Sequence, residues 1–438
     1  MTDPQIGLAG FLVLGLLIYS GMHISTALLS VTFVGVWILK EDPGIASQLI
    51  GLAATDAVAE YEFGTVPLFV LMGFFVMIAG VGTDSYRVAH KLLKQVPGGL
   101  GHATVLGNAI FSAITGITVA AVVMFTKLAV PEMLKRGYHP RLAVGVVAGS
   151  AMLGMLIPPS VLMIIYAVLT EISIGDIYTA GIVPGVILTI AFSVAIYLIA
   201  LVRPSWVGSG YIEDASTEGQ QSLFMQVVPI LLLIALVLGG MYGGVFTATE
   251  AGAVGTLGAL IMALVRSSLD TKTLISVLVD TGYVTASLIL IVASAIMFSR
   301  FLAMSGLPAY LGNELSEAQV GLTGLMIIYV LVILLLGTAL DSTSTVLITV
   351  PIFAPLFKMV GGDLVWVGII TMIAVEVGLI TPPLGMSPFI VKASLRGDPL
   401  GDRISLNDIY LGALPFAFAA LVVIALLIAF PKLALLLI

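Results

Sequence analysis

Two short polar runs interrupt otherwise apolar sequence, and both carry groups that bind ions. The first is Ser112-Ala113-Ile114-Thr115-Gly116-Ile117-Thr118; the second is Gly337-Thr338-Ala339-Leu340-Asp341-Ser342-Thr343-Ser344-Thr345. Hydroxyls and a carboxylate are costly in hydrocarbon unless they face protein or a water-filled site. Further along the chain each run is followed by a Pro-Pro pair, in Gly154-Met155-Leu156-Ile157-Pro158-Pro159-Ser160 and in Gly378-Leu379-Ile380-Thr381-Pro382-Pro383-Leu384. A Pro-Pro pair removes two backbone donors and breaks a helix. The carbonyls it frees suit a hard cation such as Na⁺. The N-termini of the half-helices present N–H groups and a positive dipole end, which suit an anion.

The ionisable residues are sparse enough to weigh singly. Asp341 is the only carboxylate at either polar tip. It reads as a cation ligand, as an N-cap for the helix that follows, or as both. Glu376, just before the second break, and Glu250, in Thr247-Ala248-Thr249-Glu250-Ala251-Gly252-Ala253-Val254-Gly255, read as structural groups that bond buried backbone or cap a helix. Lys127 and Arg300 fall in apolar segments. Lys127 is expected to snorkel or to pair within its hairpin, and Arg300 is the candidate for contact with an anionic solute. The four histidines (His23, His90, His102, His139) have no metal-ligand spacing and cysteine is absent, so no transition-metal site is expected. No HExxH, GxSxG or Walker A pattern occurs, which sets a membrane enzyme aside.

These groups must be positioned by membrane helices. Of 438 residues, 60% are hydrophobic and only 9% charged, with a mean hydropathy of +1.19. A water-facing domain carries about 25% charged residues. Apolar runs long enough to span a bilayer recur throughout, and the class expected is an all-α polytopic membrane protein. No Lys or Arg precedes Lys40, so the first apolar segment is expected to remain as a membrane helix.

The second half of the sequence, laid over the first without gaps, matches it at informative places. Gly82 falls on Gly306, Pro131 on Pro355, Gly154 on Gly378, and Pro158-Pro159 on Pro382-Pro383. Beyond these, after a short insertion in the second half, Asp176-Ile177-Tyr178 aligns with Asp408-Ile409-Tyr410. Each half is read as three spans, a connecting helix, a helical hairpin, a broken span and a final span. The first repeat is residues 1–202, with spans at 6–20, 23–39 and 65–82, an amphipathic interfacial helix at 83–96, a hairpin at 102–135, a broken helix at 141–170 and a last span at 177–202. Residues 203–225, polar and Gly-rich, form a cytoplasmic linker. The second repeat is 226–438, with its hairpin at 321–358 and broken helix at 363–395.

If each hairpin enters and leaves on one side, a half has an odd number of crossings, and the second half inserts upside down. Placing 83–96 in the cytoplasm puts 12 of the 17 Lys and Arg residues inside, 3 outside and 2 in the membrane, a strong positive-inside bias. Counting both hairpins as full crossings satisfies the charge rule equally. Two inverted halves with broken helices at matching positions point to a secondary transporter with a midplane binding site.

The run at 247–255, Leu340-Asp341-Ser342-Thr343-Ser344, Leu379-Ile380-Thr381-Pro382-Pro383-Leu384-Gly385 and Leu156-Ile157-Pro158-Pro159-Ser160 together resemble the large membrane subunit of tripartite ATP-independent periplasmic (TRAP) transporters. The likeness extends over essentially the whole chain. One departure is Ile117-Thr118-Val119-Ala120, where many relatives have a run richer in Ser and Thr.

The resemblance implies an elevator, in which a scaffold supports a moving transport domain of hairpins and broken helices. It implies Na⁺-driven uptake of an organic anion, commonly a carboxylate, across the bacterial inner membrane. It implies two partners: a periplasmic substrate-binding protein and a small four-helix membrane subunit, here a separate chain. Carried over, the cation sites are Thr115, Gly116, Gly154 and Pro158 in one half and Ala339, Asp341, Ser342, Gly378 and Thr381 in the other. The solute is expected near Thr118, Ser160, Thr343, Ser344, Pro382, Pro383 and Arg300. No nucleic acid is expected as a partner, and no cofactor besides the coupling ion. The alternative is a proton- or Na⁺-coupled organic-anion transporter of related fold that works without a binding protein.

Overall fold

The computed structural model describes residues 2–59, 64–116, 118–208, 223–266, 269–397, 401 and 403–438. The first part of the chain forms α1 (Asp3–Tyr19), α2 (Ile24–Lys40), α3 (Pro43–Ala59), α4 (Thr65–Ile78), α5 (Val81–Leu93), α6 (Gly99–Thr115), α7 (Thr118–Lys135), α8 (Pro140–Ser150), α9 (Leu153–Leu156), α10 (Val161–Thr170) and α11 (Ile174–Val202). The second part forms α12 (Leu223–Ile234), α13 (Gly240–Tyr242), α14 (Ala248–Arg266), α15 (Thr271–Met304), α16 (Leu307–Glu317), α17 (Leu322–Gly337), α18 (Ser342–Met359), α19 (Leu364–Ile380), α20 (Met386–Ser394) and α21 (Leu406–Ala429). Among the described residues, five helices are long and apolar enough to cross a membrane by themselves, and seven spans result if each sharply bent pair counts as one. The chain is thus an all-α polytopic membrane protein with broken spans.

The helices α6 and α7 flank the first polar run and α17 and α18 the second, while α9 and α10 flank the first Pro-Pro pair and α19 and α20 the second. In the register that lays Gly154 on Gly378, α7 (118–135) maps onto α18 (342–359), and α8 through α9 (140–156) onto α19 (364–380). Elsewhere the boundaries move. The third span stops at Ile78, short of residue 82, because the chain turns through Gly80 at φ +75° and α5 leaves at 64° to α4. Glycine adopts that φ without strain. The connecting helix accordingly begins at Val81 and ends at Leu93, before Pro97 and Gly98. Of its expected apolar stripe, Val88 is buried while Leu92 and Val96 are exposed.

The helix α3 has no counterpart among the expected spans. Its Ser47, Gln48, Thr55 and Asp56 break up the apolar pattern. In the same register, α4 and all but the first four residues of α3 fall within the single 34-residue helix α15.

Close backbone approaches set the packing. Thr256 donates to the Leu68 carbonyl at 2.7 Å, and Thr65 bonds Thr249 at 2.7 Å, so α4 and α14 lie side by side. Gly252 and Gly255 line that contact, where a Cβ would meet Leu68 and Met72, as small residues in close helix packing allow. The helices α8 and α21 cross at Gly145 and Gly412, where a Cβ on Gly145 would overlap the Gly412 carbonyl. Arg141 Nε and Asp408 Oδ1, 2.8 Å apart, tie the same crossing at one end. Of the expected linker, residues 209–222 lie outside the described residues. Its first residues fold back: Trp206 stacks on His139 at 4.4 Å, and Arg203 lies 4.6 Å over the Trp206 ring.

Candidate ion and solute site

At the first tip, α6 ends on Thr115, whose hydroxyl turns back to the Phe111 carbonyl at 2.9 Å. Gly116 follows in the left-handed region at φ +62°. A Cβ there would overlap the Pro159 carbonyl oxygen, so the tip rests directly on the first Pro-Pro break. Ile117 lies outside the described residues. Thr118 opens α7 and packs on Gly154, whose Cβ would come within 3.2 Å of the Thr118 hydroxyl. Past the break, Ser160 caps α10 by accepting from Met163 N–H. The Pro158-Pro159 and Pro382-Pro383 bonds are both cis.

At the second tip, Asp341 caps α18. Its carboxylate accepts from the N–H groups of Thr343 at 3.1 Å and Ser344 at 3.3 Å, and from the Ser344 hydroxyl. Gly337, at the end of α17, meets Gly378 of α19 backbone to backbone: a Cβ on either would lie within 2.9 Å of the other's Cα. Thr381 bonds the Val377 carbonyl through its hydroxyl at 2.6 Å. A cavity of about 420 Å³ opens beside this tip, lined by Ala339, Asp341, Thr343, Ser344, His23 and Met386 among others.

Two tyrosines fasten the breaks. Tyr178 donates to the Ser160 carbonyl at 3.2 Å, and Tyr410 donates to the Pro383 carbonyl at 3.2 Å and the Gly385 carbonyl at 3.3 Å. They are the tyrosines of the two matching Asp-Ile-Tyr triplets. The triplet match was visible in sequence, but its use was not, because nothing local says where a tyrosine on the final span will point.

Glu376 departs from its expected role. Among the described residues it neither caps a helix nor bonds backbone. Its Oε1 accepts from the Thr118 hydroxyl of one tip at 3.3 Å and from the Ser342 hydroxyl of the other at 3.2 Å. The residue is 1% exposed. Glu250 does cap: it accepts from Thr247 N–H at 2.8 Å at the start of α14.

Of the residues named from sequence, Thr115, Gly116, Thr118, Gly154, Pro158 and Ser160 gather around the first break. Ala339, Asp341, Ser342, Thr343, Ser344, Gly378, Thr381, Pro382 and Pro383 belong to the second tip and break. Arg300 stands apart from both, with its guanidinium 2.5 Å from Asp56 of α3. The donor set is carbonyl, hydroxyl and carboxylate oxygen, which fits a hard monovalent cation. Among the described residues, no group of three or more His, Cys, Asp or Glu could hold a metal ion.

Similar proteins bear on what this arrangement does. Residues 6–433 match the family model "Tripartite ATP-independent periplasmic transporter, DctM component". The C4-dicarboxylate TRAP transporter large permease protein DctM of Pseudomonas aeruginosa is 32% identical, covering 78% of this chain and 80% of its own. The sialic acid TRAP transporter large permease protein SiaM of Vibrio cholerae is 31% identical, covering 96% of each. The ectoine TRAP transporter large permease protein TeaC of Halomonas elongata is 30% identical over 84% of each.

Among solved structures, the Alcanivorax borkumensis YdaH transporter shares the fold, with a TM-score of 0.59 and 16% identity over 85% of this chain and 86% of its own. Neisseria gonorrhoeae MtrF shares it at 0.61 and 12%, over 87% and 84%. Family, fold and length agree, and the chain belongs to the TRAP transporter large permease family.

Proposed function

We propose that this chain is the Na⁺-coupled permease of a TRAP system that takes up an organic anion, handed over by a periplasmic binding protein. As a member of its family it is a transport protein and not an enzyme, a multi-pass protein of the bacterial inner membrane. The single observation that carries the proposal is that each hairpin packs backbone to backbone at or just before a Pro-Pro break, Gly116 on Pro159 and Gly337, at the end of α17, on Gly378 of α19. Each contact brings a helix N-terminus, Thr118 or Ser342, to a stretch of freed carbonyls. Carbonyls and hydroxyls hold Na⁺, and paired helix N-termini hold the carboxylate.

The cation sites are assigned to Thr115, Gly116, Gly154 and Pro158, and to Ala339, Asp341, Ser342, Gly378 and Thr381. The solute lies near Thr118, Ser160, Thr343, Ser344, Pro382 and Pro383, with the cavity beside Asp341 as its entrance. The relatives are named for C4-dicarboxylates, sialic acid, isethionate and ectoine. Those solutes share a carboxylate or a sulfonate, which supports an organic acid here. Residues 1–202 and 226–438 act as two inverted halves of an elevator, and a separate four-helix subunit braces the scaffold.

The test is uptake into liposomes that hold this chain with its small membrane subunit, with the binding protein outside. Uptake is expected only with an inward Na⁺ gradient and a loaded binding protein. Uptake that needs neither would overturn the proposal.

A further inference from the structure

The carboxyl of Glu376 lies between the two tips, and its two oxygens are treated differently. Its Oε1 accepts two hydroxyl bonds, from Thr118 and Ser342, while its Oε2 is buried with no hydrogen-bond partner among the described residues. Leaving a buried carboxylate oxygen bare is costly, and native structures meet such an atom with water, a proton or an ion.

The two donors are related. Thr118 and Ser342 occupy the same position in the register that maps α7 onto α18, and each is the first residue of its helix. Two helix N-termini, with their positive ends, thus converge on one carboxylate. The acceptor has no such relative, since the position matching Glu376 in the first half is Met152, buried at the start of α9. A single formal charge from one half therefore serves both tips.

We propose that Glu376 Oε2 is a ligand of a monovalent cation bound between the two hairpin tips, a site additional to those assigned to each tip and break. The Thr118 and Ser342 hydroxyls complete it. Each gives its proton to Oε1 and keeps lone pairs for the ion. A cation held there touches both tips at once, so its arrival is felt by both halves. Unlike a cradle of carbonyls, the site supplies a full negative charge to offset the ion. The inference rests on the Na⁺ reading above and adds a further binding site for the same ionic species.

The test is equilibrium binding of radioactive sodium to the purified full chain with its small subunit, with K⁺ as the control salt. Glu376→Gln keeps the shape and the Oε1 acceptor but removes the charge. It is expected to raise the Na⁺ concentration for half-saturation at least about tenfold, the loss of one charge-assisted contact. Glu376→Asp keeps the charge on a shorter stem and is expected to bind with intermediate affinity. Should the Gln variant not fold, the Asp variant decides: weakened binding supports the site, and wild-type binding overturns it. If the wild type binds Na⁺ and Glu376→Gln binds it equally, this inference falls while the Na⁺ reading stands. If the wild type binds no Na⁺, both fall.

Discussion

At the first tip and break, Thr115, Gly116, Thr118, Pro158, Pro159 and Ser160 are all buried, whereas at the second, Pro382, Pro383 and Leu384 are exposed and Asp341 borders a cavity. The same chain plan thus has two different supports. Where the first tip has Gly116, the matching position of the second is Leu340, and where the second has Asp341, the first has Ile117. The first tip is held by tertiary contact, a backbone pressed against the Pro159 carbonyl that only glycine permits. The second adds a local cap, with Asp341 satisfying the first N–H groups of α18, to its contacts with α19 at Gly378 and Glu376. A loop fastened by its neighbours cannot move without them. One fastened by local bonds and facing open space can shift at lower cost.

Substitutions at matched positions probe that contrast. The largest effect is expected at Gly116. Gly116→Val would put a β-branched side chain at φ +62° and against Pro159, costing about 3 kcal/mol or more. Leu340→Val, its counterpart, should cost less than about 1.5 kcal/mol. Thermal unfolding of the detergent-purified chain measures both, and equal losses would erase the distinction between the tips.

Next comes Asp341. Replacing it with Ala should cost about 1 kcal/mol through the lost cap, while Asn, an equally good N-cap, should leave stability nearly unchanged. If Asp341→Asn nevertheless demands more Na⁺ for uptake, the charge serves the ion; if uptake at low Na⁺ is normal, Asp341 is only a cap.

The smallest effect is expected at the tyrosines. Tyr178→Phe removes one of the two bonds to the buried Ser160 carbonyl, leaving that from Ile164 N–H, and should cost about 1 kcal/mol. Tyr410→Phe, at the exposed break where water can replace the hydroxyl, should cost less than half of that. A larger loss for Tyr410 in the same unfolding assay would mean that the second break is the more rigid one.

Much of this architecture was legible in the residues. Proline pairs have no donors to continue a helix, and polar runs cannot remain in hydrocarbon, so helix ends at both kinds of site were legible. Helix ends set by single glycines were less legible: the turn at Gly80 shortened the third span, and Pro97 with Gly98 shortened α5. The helix α3 was missed because its face carries too many polar groups to read as a span, although it packs against α2 and α15.

Arg300 shows the other kind of limit. Its place in an apolar segment marked it as unusual, yet its partner, Asp56, is 244 residues away. Glu376 is the same case at 258 residues from Thr118.

The sequence by itself determined the membrane class and that helices stop at the polar runs and the Pro-Pro pairs, because each follows from backbone chemistry and hydropathy within one short segment. Only the tertiary structure decided that one tip is buried and the other open, that Tyr178 and Tyr410 fasten the breaks, and that a single carboxylate spans both tips. Those outcomes depend on which helix faces meet, and a contact between side chains far apart in the chain leaves no mark on the local pattern of either.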